Sequence, residues 1–212
     1  MRMLSVEQRR LLEEATMEYM DHLHVALPYL EKRGITEEAA RRAALGVVVN
    51  PVKGHETKTG RLAIPYLTDA GPVNMTFRCI VDHVCKEISG HSKYVRLSGF
   101  ETNLYGVQSY EGAGAHISLC EGELDALVLQ MLGEPAMGVP GANNWQPHWR
   151  DILMDFSQVY VFSDGDVPGQ EFFEHVRMKC DQAINVPMPD GHDVNSAYLA
   201  YGPDFLLRKI RE

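Results

Sequence analysis

Two stretches decide the fold class: HISLCEGELDALVLQML at residues 116–132 and VYVFSDGDVP at residues 159–168. In each, an apolar run with the length of a strand ends at an acidic turn that contains glycine, and a helix-forming segment follows. The same order of strand, turn and helix recurs as far as residue 201. Such alternation is typical of a parallel sheet flanked by helices. The sequence therefore predicts an α/β protein with a mainly parallel sheet over residues 111–212.

The N-terminal half follows a different pattern. Apolar residues at helical spacing predict a first helix from residue 6 to about residue 27. Residues 62–67 and 73–81 have the composition of strands and are separated by a turn, which predicts a hairpin. Pro65 places the first of these strands at an edge or a bulge. We therefore expect a separate α+β subdomain over residues 1–110.

The composition is that of an ordinary globular protein, with 212 residues, 45% of them hydrophobic and 23% charged, and a net charge of −9. No apolar run approaches the length of a membrane-spanning helix, and the N-terminus lacks the pattern of a signal peptide. The four cysteines form no C-x-x-C pair and suggest no disulfide framework. We therefore expect a cytoplasmic protein with no membrane partner.

The negative charge is concentrated in the second half, because residues 111–212 contain sixteen acidic and six basic side chains. Three acidic motifs there follow predicted strands: Glu121-Gly-Glu-Leu-Asp125, Asp164-Gly-Asp166 and Asp190-Gly-His-Asp193. Ligand sites of parallel sheets form at these strand ends. Each motif alone also suits a turn or a helix N-terminus.

Together, the acidic motifs favour a metal site. Two carboxylates ~4 Å apart repel by about 4 kcal/mol at an effective dielectric constant of ~20, and a divalent cation turns that repulsion into attraction. Carboxylate oxygens suit Mg²⁺ or Mn²⁺, which combine protein carboxylates with substrate phosphates. Two such ions can stabilise the attacking and leaving oxygens of a phosphoryl transfer.

In order and spacing, the three motifs resemble those of the Toprim fold, which bacterial-type primases, topoisomerases and some nucleases share. Several N-terminal segments resemble the RNA-polymerase domain of bacterial DnaG-type primases: residues 29–36, 60–65, 77–78, 92–94 and 103–106. The resemblance extends from about residue 16 to residue 201. It implies a Toprim subdomain preceded by a primase-like N-terminal subdomain.

The resemblance also implies an activity: synthesis of short RNA primers on single-stranded DNA from ribonucleoside triphosphates, with two or three Mg²⁺ or Mn²⁺ ions. Its implied catalytic residues are Glu121, Asp125, Asp164 and Asp166. Its implied metal ligands are Glu121, Asp164, Asp166 and Asp193. Its implied nucleotide- and template-binding residues are Lys93, Arg61, Arg78, Arg96 and Asn103. Asn195 stands where the third motif commonly has a second aspartate.

Two other functions remain open from the sequence, namely a small Toprim nuclease and an inactive primase-like module that binds DNA or a replisome partner. Segment 29–106 favours the primase, because small nucleases of this fold lack a primase-like N-terminal half. The sequence contains neither the zinc-binding module nor the helicase-binding domain of the family. We therefore expect a separate zinc-binding primase subunit, a replicative helicase or both as partners, in the cytoplasm of a bacterial host.

A further group of metal-ligand types is Cys79-x₃-His83-x-Cys85-x₅-His91. The residue types suit Zn²⁺, but the spacing matches no common structural zinc pattern. The sequence therefore favours a loop that happens to contain cysteine and histidine over a zinc site.

Overall fold

The computed structural model describes residues 4–141 and 144–211. The chain forms two compact units that divide between Glu101 and Thr102, earlier than the boundary after residue 110 that the sequence predicts. The difference has a physical cause, because Leu104 packs into the core of the second unit. In addition, the backbones of Tyr105 and Gly138 exchange two hydrogen bonds, of 2.9 and 3.0 Å, within that unit.

The first unit combines short helices with an antiparallel sheet whose strand order is β1-β2-β3-β4. Its α-helices are α1 (Val6–Met20), α2 (Leu27–Glu31) and α3 (Glu37–Arg42). Its strands are β1 (Gly46–Val47), β2 (Leu62–Thr68), β3 (Gly71–Arg78) and β4 (Tyr94–Arg96). The predicted hairpin is confirmed as β2 and β3.

Helix α1 begins at a capping box, in which Ser5 and Gln8 each accept a hydrogen bond from the other's backbone N–H. Its buried residues, among them Leu12 and Tyr19, pack on the sheet. The helix ends at Met20, so its predicted extension to residue 27 is wrong. The apolar residues beyond Met20 belong to a 3₁₀ turn and to α2, and the chain restarts because Pro28 fits a first helical turn but not a helix interior.

Pro65 is buried, and β2 is an inner strand of the sheet rather than an edge strand, but Pro65 lies beyond the residues that pair with β1. Strand β2 pairs with β3 along its length, but β1 reaches only Leu62 and Ala63. On that side Pro65 therefore faces no partner strand, where a residue without an N–H is tolerated. The register also shifts between Tyr66 and Leu67, which gives the bulge that a proline here favours.

The second unit confirms the predicted α/β fold. Its strands are all parallel, in the order β6-β5-β7-β8: β5 (His116–Cys120), β6 (Ala136–Gly138), β7 (Gln158–Ser163) and β8 (Ala183–Pro187). Its helices are α4 (Ser109–Gly112), α5 (Glu123–Met131), α6 (Trp149–Leu153), α7 (Val167–Arg177), α8 (Val194–Tyr201) and α9 (Pro203–Arg211).

Alternate residues of the parallel strands face opposite sides. Ile117 and Val161 share one core with Trp149 of α6 and Phe172 of α7. Helix α5 packs on β5 and β6 and also on α8. From β5 to β6 the chain moves across the sheet in one direction, and from β6 to β7 and on to β8 it moves in the other. Right-handed crossovers therefore place α5 on the face opposite to α6 and α7. Within the described residues, no helix has both the length and the apolar character needed to cross a membrane.

Candidate active site

The first two acidic motifs lie where the order of the sheet reverses, and the third follows the outer strand β8. The chain leaves β5 toward β6 on one side and returns to β7 on the other side. Strands β5 and β7 are therefore neighbours, with Cys120 opposite Phe162. Glu121 and Asp164 follow these strands directly. In open parallel sheets, ligands bind at this reversal, outside the carboxyl ends of the strands.

Glu121 has a strongly perturbed carboxyl group. Its pKa is raised to about 7, mainly by burial and also by the charges of Asp166 and Asp125, against a hydrogen bond from the Asp164 backbone that lowers it. Among the described residues, its Oε1 atom is buried and has no hydrogen-bond partner. At neutral pH this carboxyl can therefore either hold a proton or accept a cation.

The second and third acidic motifs are joined through their backbones. The N–H of Gly165 donates to the carbonyl of His192, and the N–H of Gly191 donates to the carbonyl of Gly165, both at 2.8 Å. A Cβ atom on Gly165 would lie 1.9 Å from the carbonyl oxygen of Pro189. This closeness requires glycine, and it fixes the Asp164 loop against the loop that carries Asp193.

Two of the predicted metal ligands are also helix N-caps. Oδ1 of Asp166 accepts a 2.8 Å hydrogen bond from the Gly169 N–H at the start of α7. Oδ1 of Asp193 accepts a 2.7 Å hydrogen bond from the Ser196 N–H at the start of α8. Each bond holds its carboxylate in a defined orientation beside a positive helix end.

Asp125 ties the first motif to the third. Its Oδ1 atom accepts a 3.1 Å hydrogen bond from the backbone N–H of Asn195, whose side chain is buried in the first turn of α8. Asp125 therefore positions α8, and with it the capping residue Asp193. The sequence alone could not reveal this contact, since 70 residues separate its two partners.

These residues fit a hard divalent cation. The donors are all carboxylates, and among the described residues Glu121 supplies a buried oxygen without a hydrogen-bond partner. The charges of Asp125, Asp164 and Glu121 all affect the pKa of the Cys120 thiol, so the three carboxylates lie near the same point of the sheet. Burial raises the pKa of that thiol, and these three negative charges and that of Glu134 raise it further. No three of the acids in the described parts of the chain bring their oxygens within 4.8 Å of one another. A Mg²⁺ ion does not require such a group, because it usually keeps several waters and takes one or two protein carboxylates.

Arg78 is held inside the first unit rather than presented to solvent. Its Nε and Nη1 atoms donate to the hydroxyl groups of Tyr29 and Tyr94, and its guanidinium lies 4.8 Å from the ring centre of Tyr94. The residue is 5% exposed and lines a cavity of about 310 Å³ with Arg33 and Lys93. Arg78 therefore braces two tyrosines, a role that the sequence did not indicate, and its contact with phosphate stays a prediction.

The other predicted nucleotide-binding residues lie in both units. Nη1 of Arg61 donates to the carbonyl of Ser92 at 2.8 Å, which places it beside Lys93. Lys93 and Arg96 are exposed at the two sides of Tyr94 in the β4 region. Asn103 belongs to the second unit and is half-buried.

The structure also brings together four side chains that the sequence treated as an incidental group. The ligand atoms of Cys79, His83, Cys85 and His91 all lie within 4.8 Å of one another. The spacing of these residues in the sequence did not indicate the cluster. Pairing of β3 with β4 brings the two ends of the loop together, and no short metal-binding motif is involved.

No protein-family model matches the chain. The Gene 57 protein of Mycobacterium phage D29 is 35% identical over 151 residues, which are 71% of this chain and 98% of that protein.

Solved structures of similar fold are DnaG-type primases. The RNA polymerase domain of Mycobacterium tuberculosis primase DnaG has a TM-score of 0.76 at 20% identity, covering 98% of this chain and 84% of that one. The zinc-binding and RNA polymerase domains of the Aquifex aeolicus primase have a TM-score of 0.80 at 21% identity, covering 98% of this chain and 62% of that one. A DnaG primase catalytic domain bound to single-stranded DNA has a TM-score of 0.70 at 18% identity, covering 96% and 80%. The chain therefore has the fold of the DnaG primase catalytic core and belongs to the same family as the Gene 57 protein of Mycobacterium phage D29.

Proposed function

We propose that the chain is a primase that joins ribonucleotides on a single-stranded DNA template. The observation that carries this proposal is the extent of the structural likeness, which covers 98% of the chain and so includes both units. A small Toprim nuclease would account for the second unit alone. Three of the similar structures are complexes with DNA, one with single-stranded DNA and two with double-stranded DNA, which supports a DNA template here.

In this proposal Glu121, Asp164, Asp166 and Asp193 hold Mg²⁺ or Mn²⁺. The bound ions would neutralise charge on the attacking and leaving oxygens of the transferred phosphoryl group. The protein supplies orientation, because the caps at Asp166 and Asp193 and the bond from Asn195 to Asp125 fix the three loops. Glu121 either binds one of these ions or accepts the proton of the 3′-hydroxyl, since its pKa of about 7 in the metal-free chain suits a general base at neutral pH.

Phosphate binding falls to the basic residues of the first unit and to Asn103. Lys93 and Arg96 are exposed, so a nucleotide or template backbone can reach both side chains. Arg61 is oriented by its bond to the Ser92 carbonyl, and a guanidinium can engage phosphate with two parallel hydrogen bonds. Arg78 contributes by holding Tyr29 and Tyr94 at the cavity that Lys93 lines.

We also propose that a zinc-binding primase subunit assists initiation. Residues 61–110 carry five basic and four acidic side chains, and the remaining chain has no basic excess. Affinity for DNA depends largely on the neutralisation of phosphates, so this chain alone supplies little of it. The Aquifex aeolicus structure contains a zinc-binding domain together with the polymerase domain, which supports a partner of that kind.

The test is template-directed incorporation of ribonucleotides with and without Mn²⁺, using the full chain, Asp164→Asn and the matched control Asp181→Asn. Asp181 is an exposed carboxylate in the loop between α7 and β8, so its variant should retain activity. We expect metal-dependent extension that Asp164→Asn abolishes. Metal-dependent degradation of the template without extension would favour the nuclease, and no metal-dependent reaction would favour the inactive module.

A further inference from the structure

We propose that Cys79, His83, Cys85 and His91 form a zinc site in the loop between β3 and β4. The four side chains offer two thiolates and two imidazoles, which is a common ligand set of structural Zn²⁺. All four ligands come from the protein, so the site is closed and suits a structural rather than a catalytic ion. This inference revises the sequence interpretation, which favoured an incidental loop.

The distances match those of a tetrahedral zinc centre. Nε2 of His83 lies 3.6 Å from the sulfur of Cys79 and 3.4 Å from the sulfur of Cys85. Zn–S bonds of about 2.3 Å and Zn–N bonds of about 2.0–2.1 Å place neighbouring sulfur and nitrogen ligands of a tetrahedron about 3.6 Å apart. Both cysteines are free thiols, so no disulfide accounts for their closeness.

His91 completes the set. Its ring centre lies 4.7 Å from that of His83 in an edge-on arrangement. Its Nε2 atom is buried and has no hydrogen-bond partner within the described chain. A buried imidazole nitrogen without a partner is costly, and a metal ion within reach of the other three ligands would satisfy it.

The loop lacks the apolar core that would otherwise hold it. Its ends are clamped by a 2.8 Å hydrogen bond from the Cys79 N–H to the Lys93 carbonyl, which continues the β3–β4 pairing. Between these ends Val81, Val84 and Ile88 are 62%, 58% and 45% exposed. Hydrophobic burial therefore contributes little to the order of the loop, and metal binding is the usual substitute in small segments of this kind.

The site has a consequence that rests on the proposed function. The loop ends at Ser92 and Lys93, and Ser92 is the residue that orients Arg61. A bound ion would therefore hold the backbone beside two predicted phosphate-binding residues. Loss of zinc should weaken template binding, whereas zinc binding itself does not depend on the chain being a primase.

The experiment measures metal content in the full chain, purified without a histidine tag. We expect one zinc per chain by elemental analysis, and after exchange with Co²⁺ the visible absorption of a tetrahedral thiolate complex. Cys85→Ser and His91→Ala should lose the ion, and His91→Cys should retain it, since a thiolate can replace the imidazole. Cys180→Ala and His148→Ala are the matched controls outside the cluster and should keep the full content.

If a cluster variant does not fold, titration of the chelator-treated wild-type chain replaces it. Zinc should then protect two thiols from a thiol reagent and raise the melting temperature. Absence of zinc from the purified chain together with no protection by added Zn²⁺ would overturn the proposal, as would retention of the ion by a folded Cys85→Ser variant. Failure of the primase assay with a full zinc content would leave the zinc site standing and reject only the proposed function.

Discussion

Glu121→Gln tests the electrostatics of the candidate active site most directly. The pKa of Glu121 is raised from 4.5 to about 7, first by burial and then by the charges of Asp166 and Asp125. A glutamine has nearly the same shape but no charge, so the substitution removes this cost and leaves the packing in place. We expect the metal-free variant to be more stable than the wild-type chain above neutral pH.

The sign follows from proton linkage. Between pH 4.5 and about 7 the folded chain binds more protons at Glu121 than the unfolded chain does, so the contribution of this group to stability falls as pH rises through that window. The shift corresponds to at most about 3 kcal/mol at 1.36 kcal/mol per pH unit. Glu121 is partly exposed, so solvent screening reduces the expected gain of the variant to about 1–2 kcal/mol.

The assay is thermal or urea unfolding of both chains at about pH 5 and about pH 8. Linkage predicts that their stabilities differ little at about pH 5 and by the full amount at about pH 8. A gain of this size should raise the melting temperature by about 2–8 °C at the higher pH. Glu171→Gln, which removes an exposed carboxylate of α7, is the matched control and should show no pH-dependent gain. Added Mn²⁺ should stabilise the wild-type chain more than Glu121→Gln, because only the former presents a charged ligand.

An equal effect of Glu121→Gln at both pH values would refute the reasoning, as would destabilisation at pH 8. The same variant has a functional readout under the proposed function. Its turnover should fall far more than its affinity for template, since the carboxyl acts on the reacting atoms and not on the DNA backbone.

Three further predictions follow from the loops and the charge distribution. Gly165→Ala should lower the free energy of unfolding by about 1–3 kcal/mol, because its Cβ would meet the Pro189 backbone; Gly112→Ala, in open space, should be neutral or stabilising in the same urea titration. Asp166→Asn should abolish nucleotide joining but leave the stability unchanged, because asparagine still caps α7. Asp166→Ala should also lower the free energy of unfolding by about 0.5–2 kcal/mol. Nucleotide joining by a folded Asp166→Asn variant would show that Asp166 is not a metal ligand. Over a salt series the isolated chain should extend a supplied primer but initiate slowly, and a zinc-module partner should restore initiation; efficient unaided initiation at physiological salt would contradict this.

The sequence predicts the second unit closely, because its strands are short apolar runs that stop at acidic turns containing glycine. Strand β5 ends at Cys120, directly before the first acidic motif, and helix α8 ends at Tyr201, where the predicted alternation stops. It predicts the first helix poorly, because Leu23 and Leu27 continue the helical spacing while belonging to a separate turn and helix. The spacing of apolar residues alone does not distinguish one long helix from two shorter helices that follow each other.

The contacts that connect the site could not be predicted in the same way. In the hydrogen bonds from Gly165 to His192 and from Asn195 to Asp125, the donor is a backbone N–H. Nearly every residue type has this group, so the residue type does not indicate the bond. The cluster around His83 forms because strand pairing brings the two ends of its loop together. Residue types therefore indicated the chemistry, whereas tertiary pairing decided which of these groups meet.

Glu121 differs from two other acids of the site in its place relative to the helix that follows it. Asp166 and Asp193 each cap a helix, where a backbone N–H donor holds the side chain in place. Glu121 precedes α5, but the N-cap of that helix is Gly122, which supplies no side-chain bond. Burial and two neighbouring charges therefore act on Glu121 against a single backbone donor from Asp164. The fold thus leaves the pKa of Glu121 in the metal-free chain near the value that suits proton transfer at neutral pH.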